Sequence, residues 1–253
     1  SHRLYVPLTL NYSSDNITTS LDDKLAAGQN DVTFSQLRLA IAPQYEYNHH
    51  RRKFVFRAEL PIRLDNFSSR QEGKDYFSIC PDIYFNWNVS PRSVLRATAS
   101  YSRTFGDVLD LLTAPVRLDE TTVRVSSGIL TDTKTLTANL HYDFKIPLEQ
   151  WFINADLAYV RNWNNLITSQ DVIDSNILTG TLAQQNVSDN IVSQLGVTKQ
   201  ITPIRTKISL TGSALYSNQS TMQNGNQVDV SWQSAAISPS LYSHPLDWLE
   251  LDY

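Results

Sequence analysis

From Lys53 to Asp65 the chain reads KFVFRAELPIRLD. Phe54, Phe56, Ala58, Leu60, Ile62 and Leu64 fall on one parity. Lys53, Arg57, Glu59, Arg63 and Asp65 fall on the other, where only Val55 and Pro61 are apolar. Successive side chains of a strand point to opposite faces. This segment therefore predicts a strand with one continuous apolar face and one charged face. It outruns the usual globular strand of about 5–6 residues and suits a tilted strand crossing a bilayer, which takes roughly 9–11 residues.

The same unit recurs along the chain. Alternating segments occupy 3–12, 32–47, 76–89, 95–102, 135–146, 151–163, 190–201, 204–217 and 227–242, and a last short one begins at Trp248. They predict an all-β, antiparallel up-and-down meander of about 10–11 long strands. Two places depart from the alternation. Val32 and Phe34 have the wrong parity for Leu37, Leu39 and Ile41, which predicts a bulge near Ser35. A second parity change falls at 234–236. Residues 103–132 read as a long loop, with a short helical or irregular excursion over 107–112 and a short extra strand over 121–125.

The connections alternate in length. Long polar ones lie near 13–31, 66–74, 103–132, 164–188 and 218–226, the last with Asn224-Gly225 at its tip. Short ones lie at 48–52, 90–92, 147–150, 202–203 and 243–246. In a meander, alternate connections sit at opposite ends of the sheet, so the long loops share one end and the tight turns the other. Outer-membrane barrels are built this way. Aromatic residues gather at both ends. Tyr45, Tyr47, Trp87, Trp151 and Trp248 lie near short turns, and Trp163 lies at a long-loop end. These six are candidate membrane-interface aromatics. The expected fold is thus part of a transmembrane β-barrel.

Composition narrows the picture. Net charge is −4, too small and of the wrong sign for a nucleic-acid surface. Mean hydropathy is −0.30, and no apolar run reaches the length of a membrane-crossing helix. A barrel keeps hydropathy low because its interior-facing residues are polar. Cys80 stands alone, which rules out an intrachain disulfide and reads as a small buried apolar residue. Both ends of the chain are alternating strand, so the chain is expected to be cut from a longer one.

The segment PDIYFNWNVSPRSVLRATASYSRTFGD, with its Ser-Pro turn and Tyr101-Ser102-Arg103, resembles the barrel of TonB-dependent outer-membrane receptors. More narrowly, it resembles the Bacteroidetes-type outer membrane protein β-barrel family attached to a carboxypeptidase-regulatory-like domain. The likeness is one of pattern over the whole chain. It implies a barrel of about 22 strands, of which this chain supplies about half. A plug domain and a TonB-contacting box would precede residue 1. It further implies energised import of a bulky nutrient across the bacterial outer membrane. The partners would be membrane lipids, the plug, a TonB-type energising protein and a nutrient ligand.

Candidate chemistry is sparse. There is no Gly-rich phosphate loop, HExxH or GxSxG pattern. His141 and Asp143 share the polar face of their strand, with Asp82 and Asp156 on neighbouring polar faces. His141 lies toward the short-turn end, away from the extracellular rim where an outer-membrane protease would place its Asp and His. The run His49-His50-Arg51-Arg52 reads as a solvated turn, and Asp22-Asp23 and Asp107 with Asp110 as loop solvation. The expectation is no enzyme, no cofactor and no metal. Charges on the polar faces are better placed for a role. Arg38, Glu46, Arg57, Glu59, Arg63 and Arg96 would face the barrel interior, where they must be hydrated or paired, and are candidates for contact with the plug. Two other readings stay open: a self-contained outer-membrane pore or adhesin of about ten strands, and a soluble β-sandwich binding module.

Overall fold

The computed structural model describes residues 1–19, 30–49, 53–69, 73–118, 120–173, 176–246 and 249–252. Asp22-Asp23, the run 50–52 and Trp248 lie outside them. The described residues are all-β and mostly antiparallel, with no α-helix.

The first four long strands are each interrupted once. They comprise β1 (His2–Tyr5) with β2 (Leu8–Thr18), β3 (Asp31–Ile41) with β4 (Gln44–Asn48), β5 (Phe54–Glu59) with β6 (Ile62–Ser69), and β7 (Gly73–Ile79) with β8 (Asp82–Ser90). After them come β9 (Ser93–Phe105), a 3-10 turn at Val108–Leu111, β10 (Val116–Arg117), β11 (Thr122–Val125), β12 (Asp132–Ile146) and β13 (Trp151–Asn164). The chain finishes with β14 (Ile167–Ile173), β15 (Asn176–Leu182), β16 (Asn186–Ile201), β17 (Thr206–Gln223), β18 (Asn226–Leu246) and β19 (Leu249–Asp252). The main meander runs β1-β4-β5-β8-β9-β12-β13-β16-β17-β18-β19, each neighbour antiparallel. Among the described residues the first and last strands do not meet, so the sheet is open.

Every interruption in the first four strands is an X-Pro step: Val6-Pro7, Ala42-Pro43, Leu60-Pro61 and Cys80-Pro81. Pairing stays in step across them. Tyr5 faces Gln44 on one side and Leu8 faces Ile41 on the other, and the next two strand pairs behave alike. Each proline stands opposite a residue that donates to its carbonyl: Ala42 to Pro7, Leu60 to Pro43, Cys80 to Pro61 and Tyr101 to Pro81, at 2.9–3.1 Å. A proline has no N–H to return the bond. The result is a band across the sheet where half the ladder is missing. Above it, β2-β3-β6-β7 form a four-stranded outer sheet.

The expected bulge near Ser35 is absent. Pairing of β2 with β3 is unbroken from Leu8↔Ile41 through Ser14↔Ser35 to Thr18↔Asp31. Val32 and Phe34 therefore stay on the charged face, and they have an interior to fill there. Phe34, Phe67 and Val108 form a buried cluster, flanked by Ile17, Val32, Tyr76, Phe105, Leu111 and Leu130. The 3-10 turn at Val108–Leu111, where a helical or irregular excursion was expected, supplies Val108 and Leu111 to it. The parity change in β18 likewise needs no bulge, since its pairing with β17 runs unbroken from Asn226 to Ser243.

Several expected loops are strand. Residues 164–188 hold the β14–β15 hairpin. The segment 218–226 shrinks to a two-residue turn, with Asn224 at φ 48° and Gly225 at φ 76°, the left-handed pair such hairpins need. β18 continues to Leu246, so 243–246 is strand rather than turn. Backbone pairing needs no apolar side chain, and polar cross-strand pairs support it. Thr133 donates to Asn164 at 2.6 Å, and Ser220 to Asp229 at 2.6 Å. The long-loop segments also join one another: β14 runs parallel to the end of β17, and β11 parallel to β15. The extra strand expected over 121–125 is β11.

Candidate functional site

Cross-strand register pairs the charges of the polar face. Glu46 faces Arg3 on one side and Arg57 on the other, and Arg57 holds it at 3.0 Å. Gln44 donates to Glu59 at 2.9 Å. Arg38 meets the fully buried Asp65 at 2.6 Å and Gln36 adds a bond at 3.2 Å, both on Oδ1, which leaves Oδ2 without a hydrogen-bond partner. Arg63 reaches Cys80 Sγ at 3.1 Å and also the Arg103 carbonyl. Arg96 lies 3.6 Å from Asp143. All six candidate charges thus find a partner within the wall. Opposite charges placed directly across a strand pair attract, and solvent screens most of that attraction for the exposed ones.

His141 sits between two carboxylates, with Nδ1 2.5 Å from Asp156 and Nε2 2.8 Å from Asp143. This joins Arg96, Asp143, His141 and Asp156 into one row across β9, β12 and β13. The two carboxylates thus take both ring nitrogens. Asp107 accepts from the Leu109 N–H and Asp110 from the Thr131 N–H, so both serve the backbone of their excursion. Among the described residues, no group of three or more His, Cys, Asp or Glu side chains is arranged to hold a metal ion.

The opposite face is apolar and open to its surroundings. Leu157, Leu195 and Leu210, in its middle, are 46%, 52% and 48% exposed. At the short-turn end Tyr47, Phe54, Phe85 and Trp87 form a chain of ring contacts, with centroids 5.2–6.4 Å apart, and His2 bonds the Tyr45 hydroxyl at 2.8 Å. Trp151 and Trp163 mark the two ends of β13 on this same face. Lys199 Nζ lies 4.8 Å from the Trp151 ring, and the Arg161 guanidinium 5.2 Å from Trp163. At about 3.3 Å per residue the twelve residue steps between them span ~40 Å of strand.

The outer rim is organised by residues the alternation pattern does not single out. Beyond Tyr101, β7 and β9 part, and Arg103 fills the seam. It grips Asp132 with two bonds of 2.7 and 2.6 Å and donates to the Phe77 carbonyl at 3.3 Å. Its guanidinium also lies 4.9 Å from the Tyr76 ring and 5.0 Å from Phe105. Its signals in the sequence were the Tyr101-Ser102-Arg103 motif and an arginine on the apolar parity of Leu95, Ala97, Ala99 and Tyr101. Asn30 carries no such signal. Buried at 2% exposure, it binds the excursion backbone through bonds with Thr113 and Ala114 at 2.9–3.0 Å. Between the outer sheet and the excursion lies a cavity of about 620 Å3, with Phe34, Lys74, Tyr76, Leu111 and Ile129 in its walls.

No protein-family model matches the chain, and no curated protein sequence matches it.

Proposed function

We propose that this chain is part of the wall of an outer-membrane β-barrel, and that the whole protein imports a bulky nutrient as a TonB-dependent receptor does. One observation carries the membrane reading. A single-layer sheet exposes a continuous apolar face, bounded by aromatic residues at both ends, while its other face holds paired charges. Soluble monomers rarely expose contiguous apolar patches beyond a few hundred Å2. A soluble sandwich would cover this face with a second sheet. Lipid covers it at no cost to the polar face, which would line the lumen.

The import reading rests on the resemblance of the Pro81–Asp107 segment to receptor barrels. Within it the half-exposed edges of Arg57 and Arg96 would meet a plug domain, and the rim cavity would take part in capture. No helix among the described residues is long and apolar enough to cross a membrane.

The test is the extraction behaviour of the full-length parent in its native membrane fraction. Retention in the outer membrane, a need for detergent and a heat-modifiable gel mobility are expected. Release without detergent would overturn the membrane reading and move the apolar face to a protein partner.

A further inference from the structure

We infer that the outer sheet β2-β3-β6-β7 is a flap, hinged on the proline band and latched to the wall by Arg103. Three observations converge. First, the band is a line of weakness. Pro7, Pro43, Pro61 and Pro81 each occupy one side of a pair that would otherwise exchange two bonds, so four ladder bonds are missing in one line. Backbone pairing in the outer sheet itself is complete above that line. It can therefore turn as a unit about the band.

Second, the free side of the outer sheet is held by side chains instead of a ladder. β7 bonds only to β6, and its facing strand β9 bonds elsewhere. The seam is crossed by Arg103 on the Phe77 carbonyl, by its guanidinium over the Tyr76 ring and by Arg63 on the Arg103 carbonyl, while Asp132, on the wall like Arg103, holds that guanidinium in place. Side-chain latches release without undoing a sheet.

Third, the flap covers something. Its charged-face residues Val32, Phe34 and Tyr76 form one wall of the rim cavity, and the 107–131 excursion forms the other. Rotation about the band parts Phe34 and Phe67 from Val108 and Phe105, releases the Asn30 bonds to Thr113 and Ala114, and widens that cavity while the membrane-level wall below stays paired. The proline band thus separates a moving rim from a fixed trunk.

The experiment is a distance measurement between two nitroxides in the full-length protein. One label replaces Ser68 on the exposed side of the flap, and the other replaces Gln170 on β14. Cys80 is changed to Ala to avoid stray labelling. The parent should give one dominant distance. Arg103→Gln, and independently the size-preserving Asp132→Asn, should add a second, longer population. Replacing Pro43 and Pro61 by Val in either background restores two N–H donors and should diminish that population. The inference is overturned if both latch variants keep the parent's single distance, or if the longer population is unmoved by the proline replacements. The measurement reads the flap in detergent, in nanodiscs or in water, so it can fail while the membrane reading stands, and the reverse.

Discussion

Arg103 and Asp132 form a two-pronged ion pair where β7 parts from β9, with each side chain only 15% exposed. Arg103 sits on β9, and Asp132 opens β12, where it faces Phe105 in the pairing of the two strands. The pair therefore joins the ends of two neighbouring wall strands away from water, and it holds the guanidinium against Tyr76 and the Phe77 carbonyl of the outer sheet.

Breaking that pair leaves an uncompensated, largely buried carboxylate. Arg103→Ala should destabilise the protein by about 3 kcal/mol, seen as a lower temperature for the heat-modifiable gel shift. Arg103→Lys should fall between, because an ammonium cannot reproduce the planar two-bond grip. Equal behaviour of all three proteins would mean the pair is solvated in solution.

Leu195 and Gln194 are neighbours on β16 that point to opposite faces. Leu195→Arg places a charge on the apolar face near its middle and should cost about 2–4 kcal/mol if that face meets lipid. Gln194→Arg should change stability by no more than about 0.5 kcal/mol. Refolding into liposomes with denaturant titration reads both. A reversed order would invert the assignment of the two faces.

Trp151 and Trp163 are expected at the two interfaces. In variants retaining one of them alone, fluorescence should be quenched strongly by lipids labelled near the headgroup and weakly by lipids labelled at the chain end. Strong quenching of either by the chain-end label would move that residue into the bilayer core and change the membrane frame.

Phe67 anchors the cluster beneath the outer sheet. Its ring lies 5.7 Å from Phe34 and 4.8 Å from Phe105. Phe67→Ala should cost about 3–5 kcal/mol, felt locally. Limited proteolysis should cut the outer sheet and the 107–131 excursion while the fragment carrying β12 to β18 remains resistant. Uniform digestion would show that rim and trunk unfold together.

The alternation of apolar and polar residues determined the main features of the fold. A strand exposes every second side chain to one face, so segments such as 135–146 announced both their existence and their orientation. Opposite charges such as Glu46 and Arg57 then met because antiparallel register followed. The rim was less legible. Polar strand ends such as 218–223 look like loop in sequence, yet backbone bonds to 226–231 carry them as strand without apolar help. Val32 and Phe34 read as a register fault because nothing local reveals that the excursion at 107–112 returns to cover them. Arg103 and Asn30 lie far in sequence from many of the groups they bind, Asp132, Phe77 and Ala114. Their roles arise only once the proline band splits the sheet and opens a seam and a cavity, a long-range arrangement that no local pattern encodes.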